Sequence, residues 1–245
     1  MEFKVKSEKR KDLFHKIYIV LFWVIFVIAL IDTYFSVFVH PKPYATLILQ
    51  TIPYVMMLII LRLPFMLKKA FKYEMPWMLS AVIILFGFTT FMLGDALDFY
   101  GKFYWWSIVH HAVSGIMMSI VAFWLIYVSL NEHSKYVYSS KVFLFVFVLM
   151  FPVGMGAFWE ILEYVIDCVL GSNSQQFLAS ATGFIASSDE IPLVGHEALY
   201  DTMLDMILNF IGSLAVAVYT VIRHDKIIKA IQRYQVYEGA AMEIG

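Results

Sequence analysis

Groups able to do chemistry are confined to a few short stretches of this chain. The segment GDALDFYGKFYWWSIVHHAVSG, residues 94–115, holds Asp95, Asp98, His110, His111 and Ser114. Further on, FWEILEY carries Glu160 and Glu163 with Asp167 one turn beyond, and YDTMLDM carries Asp201 and Asp205 with Asn209 at the same interval. At about 100° per residue, a helix places Glu160, Glu163 and Asp167 within about 60° of one another, and Asp201, Asp205 and Asn209 within about 80°. Each stretch therefore presents one acidic stripe.

Carboxylates gathered this closely repel when all are ionised, and Lys102 is the one basic residue near them in sequence. Some must be protonated, or a cation must be present. A divalent metal ion is the simpler account. Imidazole nitrogens combined with carboxylate oxygens suit Zn, Mn or Fe, and an all-oxygen subset suits Mg or Ca. The candidate ligands are Asp95, Asp98, His110, His111, Glu160, Glu163, Asp201 and Asp205. Their spacing matches no diagnostic metal motif: there is no H-E-x-x-H, and the E-x-x-E at 160–163 lacks the histidine of the di-iron E-x-x-H pattern. A proton or ion relay and a structural hydrogen-bond network stay open beside the metal.

For catalysis, Glu160 and Asp205 are the candidate acid–base groups. Ser114 lies one turn from either histidine, where it is either a nucleophile or a packing contact beside Gly115. Neighbours on a helix diverge by about 100°, so only one of His110 and His111 need face such a site.

Membrane helices must position these groups. Of the 245 residues, 61% are hydrophobic and only 15% charged, a composition that excludes an ordinary soluble domain. A span needs about 20 mostly apolar residues. The sequence predicts an all-α membrane bundle, one domain over residues 1–245, with helices near 17–38, 44–61, 76–93, 104–130, 142–169 and 200–222. The basic N-terminus suggests a signal peptide, but the apolar run after it is too long and no A-x-A-like site follows, so it reads as a retained helix. Cys168 is the single cysteine, which excludes an intrachain disulfide and a cysteine metal cage.

Of the 18 Lys and Arg residues, Lys42 and Lys102 alone fall in the connections after helices 1 and 3. The positive-inside rule then places both termini in the cytoplasm and the acids at the outer side. Ionisable groups at membrane depth usually face the bundle interior or water and mark sites. His110 and His111 would sit about 9 Å deep on this reading. The surface acids Asp189, Glu190 and Glu197 need no such explanation. The 171–199 loop contains FLASATGFIASS, apolar and rich in small residues, which suits a re-entrant or interfacial hairpin covering the site. Trp105, Trp106, Tyr100 and Tyr104 read as an interfacial aromatic belt, and Gly154, Gly156 and Gly212 as close helix contacts or a kink beside Pro152.

The 94–115 segment, F-W-E-I-L-E-Y and Y-D-T-M-L-D-M resemble, in order and spacing, the YjdF-type family of bacterial inner-membrane proteins. The D-x-x-x-D-x-x-x-N-x-x-G of Asp201–Gly212 resembles the last-helix motif of VanZ-like proteins, a group that includes a glycopeptide-antibiotic resistance protein. Phe103 and Tyr104 stand where the YjdF-type pattern has proline. The resemblance implies a multi-pass protein of the bacterial cytoplasmic membrane and a map of motifs, without a reaction.

Three functions are compatible with these residues. One is a metal-dependent hydrolase or transferase acting on a lipid-linked or cell-envelope substrate at the outer leaflet. The scarcity of arginine there counts against phosphate recognition unless a metal substitutes. A second is a cation- or proton-coupled transporter, disfavoured because Gln50, Thr51, Thr89, Thr90 and Ser119 are sparse polar steps toward the cytoplasm. The third is a non-catalytic module that binds a lipid, antibiotic or partner protein. Membrane lipids are expected partners, and nothing in the sequence marks a nucleic-acid binder.

Overall fold

A computed structural model describes residues 2–71, 75–130, 140–179 and 191–227. Among these residues seven α-helices follow one another: α1 (Glu2–Tyr34), α2 (Tyr44–Phe71), α3 (Trp77–Gly87), the short α4 (Phe99–Lys102), α5 (Trp105–Leu130), α6 (Lys141–Leu170) and α7 (Tyr200–Ile222). Wider π-helical turns prolong α1 over Phe35–Val39 and α3 over Phe88–Ala96. Six of these continuous segments are long and apolar enough to cross a membrane, as the composition requires. Outside the helices, Leu178 and Pro192 form an isolated antiparallel bridge.

The second helix runs ten residues past its expected end at 61, reaching Phe71. Arg62, where the apolar run stops, does not break the helix, because its guanidinium lies over the Phe22 ring at 4.7 Å. A long basic side chain buries its stem and settles its charge on an aromatic face, so an apolar run underestimates the helix around it.

Close contacts divide the chain into two units. The first comprises Met1–His110 and Trp159–Leu204. In it α2 packs against α1 and α3, and Ile25, Met57, Leu61, Ile84 and Phe91 form a buried core. Residues 171–179 and 191–199 also belong here. The amide of Ala179 donates to the Ile191 carbonyl (2.9 Å) and that of Leu193 to the Phe177 carbonyl (2.8 Å), forming the stem of a hairpin. The apolar tip expected to re-enter the membrane, with Asp189 and Glu190, lies outside the described residues.

The second unit comprises His111–Phe158 and Asp205–Gly245. Here α5 and α7 cross backbone to backbone. A Cβ on Gly115 would collide with the Asn209 carbonyl, and one on Gly212 with the Ala112 carbonyl. Lipid supplies no hydrophobic force between helices, so close van der Waals contact at such glycines is what holds the pair. Ser119 adds a hydrogen bond to the Val148 carbonyl of α6 (3.0 Å) beside the buried Val148 and Ala217. Among the described residues no atom is near enough to touch a Cβ added at Gly154, so of the close contact or kink expected there the contact is not formed, whereas Gly156 faces the Asn209 carboxamide.

Candidate functional site

In the second unit, the crossing of α5 and α7 builds a polar arrangement from four side chains. His111 Nε2 stands 3.1 Å from Asp205 Oδ2, and both groups are largely shielded from solvent. One turn along α7, Asn209 is buried and donates through Nδ2 to Ser114 Oγ (3.0 Å). Ser114 donates in turn to the His111 carbonyl (2.8 Å), and Ser213 to the Asn209 carbonyl (2.7 Å). The Ser114 proton is thus directed to backbone, not to an imidazole. Among the described residues no hydrogen-bond donor reaches the buried Asn209 Oδ1. An ionisable pair and an unfilled acceptor on one helix face form an arrangement able to hold a cation or a donor group.

The adjacent histidines serve different surroundings. His110, in the first unit, has Nδ1 2.9 Å from the Trp106 carbonyl and Nε2 3.1 Å from Thr89 Oγ1. Its ring packs against Trp106, Phe86 and Tyr100, with centroids 4.7, 5.5 and 5.9 Å away. Thr89 reaches it from the π-helical turns that prolong α3. Tyr100 and Trp106, expected in an aromatic belt, are therefore partners of His110, whereas Tyr104 and Trp105 are exposed.

The other candidate acids of the first unit have separate environments. Asp95 lies in the last π-helical turn. Asp98 has left the helix, with φ of 57°, and is exposed at the start of α4. Glu163 accepts a hydrogen bond from Trp159 Nε1 (2.6 Å). Asp167 closes the loop after α6, accepting from the Ser172 hydroxyl and from the amides of Ser174 (2.7 Å) and Gln175 (3.0 Å). Three donors on one carboxylate describe a structural cap. Glu160 is buried beside Thr202 and Asp201, and its Oε2 has no hydrogen-bond donor. Thr202 is itself held by Gln175 Nε2 at 3.0 Å.

The structure thus brings His111 to Asp205 and Ser114 to Asn209 in the second unit, and Glu160 to Asp201 in the first. Glu163 and Asp167 share the stripe of Glu160 but turn to Trp159 and to the loop. Thr202 and Gln175 are neighbours of these acids that residue type alone did not single out, and Thr89, read from the sequence as a polar step, is a partner of His110.

A family model described as "Predicted membrane protein (DUF2238)" matches residues 14–226. No curated protein matches the chain, and no solved structure does.

Proposed function

Since the chain belongs to the DUF2238 family of predicted membrane proteins, which is the YjdF family, we propose that it is a membrane enzyme that uses a divalent metal ion at His111 and Asp205. The reaction proposed is hydrolysis or group transfer on a lipid-linked or cell-envelope substrate at the outer leaflet of the bacterial cytoplasmic membrane, with both termini cytoplasmic.

The observation that carries this reading is the 3.1 Å approach of a buried carboxylate to an imidazole inside a membrane span. An acid at membrane depth is retained where it is paired or serves a site. The metal would polarise a bound water or a substrate oxygen. Glu160 is assigned the acid–base role expected from its sequence, and its burial beside Thr202 and Asp201 in the first unit supports a carboxyl kept for chemistry. Ser114 takes a positioning role here, because its proton is committed to the His111 carbonyl. The last-helix likeness to VanZ-like proteins suits an envelope substrate.

Elemental analysis of the detergent-purified protein tests the proposal, with Asp205→Asn and Glu160→Gln alongside. Stoichiometric metal that is lost in Asp205→Asn supports it. Metal-free wild type and variants, all folded, overturn it.

One observation favours a second reading. On α7 and the turn after it, Asp205, Asn209, Ser213, Thr220 and His224 are all buried, a polar face over about 28 Å of helix. The expectation of few polar steps overlooked Ser213, Thr220 and His224. Such a face suits a proton path, which flux measurements in liposomes test directly. The hydroxyls of Ser213 and Thr220 nevertheless donate to the carbonyls one turn back, a common way to satisfy them in a membrane helix.

A further inference from the structure

We infer that Asn209 Oδ1 is a third ligand for the cation, joining Asp205 and His111, and that the ion is an oxygen-preferring divalent one of the Mn or Mg type. The inference rests on the proposed metal function and adds a ligand and an ion class to it.

The orientation of the carboxamide follows from its neighbours. Ser114 gives its only proton to the His111 carbonyl at 2.8 Å, so a lone pair faces Asn209. The amide must then present Nδ2, which is found 3.0 Å from Ser114 Oγ. Oδ1 is thereby aimed the other way, buried and without a donor. A flipped amide would set Nδ2 free and face oxygen to oxygen.

Packing keeps the group where it is. A Cβ on Gly156 would stand 3.1 Å from Asn209 Cγ, and the glycine crossing at Gly115 meets the backbone of Asn209 itself. No larger side chain fits at either glycine without moving this residue. A buried carbonyl oxygen left unbonded is destabilising, and that loss is removed by a ligand.

Position and chemistry identify the ligand as a cation. Asn209 lies four residues after Asp205, so their Cβ atoms are about 5–6 Å apart on one helix face. A neutral carboxamide oxygen beside a carboxylate attracts a positive centre. His110 has its ring nitrogens at Thr89 and the Trp106 carbonyl, so of the adjacent pair it is His111 that stands beside Asp205 and offers one nitrogen. One nitrogen among oxygens is a poor zinc set and a good one for Mn or Mg.

The test is Mn(II) binding to the full-length protein in detergent, followed by its electron paramagnetic resonance signal. Wild type, Asp205→Asn, Asn209→Leu, Asn209→Asp and Ser114→Ala are compared after size-exclusion chromatography shows each to be folded. Asn209→Leu is expected to weaken binding by about 10–100-fold, the loss typical for a group that supports a metal. Asn209→Asp, which keeps an oxygen at the same place, should retain binding. Ser114→Ala releases the amide and should weaken binding while leaving stoichiometry intact, and it serves if the leucine variant does not fold.

Wild-type affinity in both Asn209→Leu and Ser114→Ala would overturn the inference while the metal function stands. Equal loss in Asn209→Asp and Asn209→Leu would overturn it too, by showing a packing role. No Mn(II) bound to wild type would overturn the inference and the metal at His111 and Asp205 together.

Discussion

His111 Nε2 and Asp205 Oδ2 face each other at 3.1 Å where α5 and α7 cross, and neither helix could place its group there without the glycines beside it. Gly115 and Gly212 let the two backbones touch, and the side chains a turn away inherit that closeness. The relationship joins packing to chemistry in one feature.

Removing one member of the pair should therefore do more than remove a contact. In metal-free protein, His111→Ala removes the 3.1 Å contact with the buried Asp205 carboxyl and should destabilise by about 1–3 kcal/mol. The double variant His111→Ala with Asp205→Ala should cost less than the sum of the two single variants, because the pair is lost only once. Thermal melting in detergent checks this, with a double-mutant cycle isolating the pair. Metal affinity should fall as the solution is acidified, because both ligands bind a metal only when deprotonated.

The neighbouring histidine should behave differently. His110→Phe keeps the aromatic packing with Trp106 and Tyr100 but loses the ring-nitrogen contacts with Thr89 Oγ1 and the Trp106 carbonyl, while the Thr89 hydroxyl still donates to the Phe86 carbonyl. A loss of about 1–3 kcal/mol in stability is expected, with bound metal unchanged. Metal content of His110→Phe beside His111→Phe settles the comparison: loss in the first and retention in the second would reverse the assignment.

The six spans and their order were legible because bilayer thickness imposes a length on apolar runs. Arg62 hid the last ten residues of α2, since a charge that rests on Phe22 looks, in sequence, like a charge that ends a span. The two acidic stripes were legible from helical period alone. Their division was not: Glu163 and Asp167 share a face with Glu160, yet Trp159 one turn back on α6 takes Glu163 and the loop after α6 takes Asp167, and the Asp167 partners depend on how the chain turns beyond Leu170. The choice between His110 and His111 was equally out of reach, because a 100° difference gains meaning only once the neighbours on α3 and α7 are known.

Asp167 gives a prediction that separates structure from chemistry. Its carboxylate gathers the Ser172 hydroxyl and the amides of Ser174 and Gln175, so Asp167→Ala leaves three donors unmet. Limited proteolysis should then cut within residues 171–179 faster than in wild type, while metal content is unchanged. Unaltered cleavage would show that the loop is held by other contacts, among them the Leu178 amide on Asn173 Oδ1.

The glycine crossing itself can be tested by contrast within one unit. Gly115→Ala and Gly212→Ala each drive a methyl group into a carbonyl of the opposite helix, and a backbone cannot yield as a flexible side chain does. Overpacking of this kind costs about 1–3 kcal/mol or more. Gly154→Ala meets nothing and removes a flexible residue from the interior of α6, so it should leave stability unchanged or raise it by up to about 1 kcal/mol. Melting temperatures of the three variants in one detergent give the ranking. Because the crossing positions Asp205 and Asn209, the first two should also lower Mn(II) affinity, and Gly154→Ala should not. Equal tolerance at all three glycines would mean that α5 and α7 are held apart from the contact described, and the geometry of the His111–Asp205 pair would fall with it.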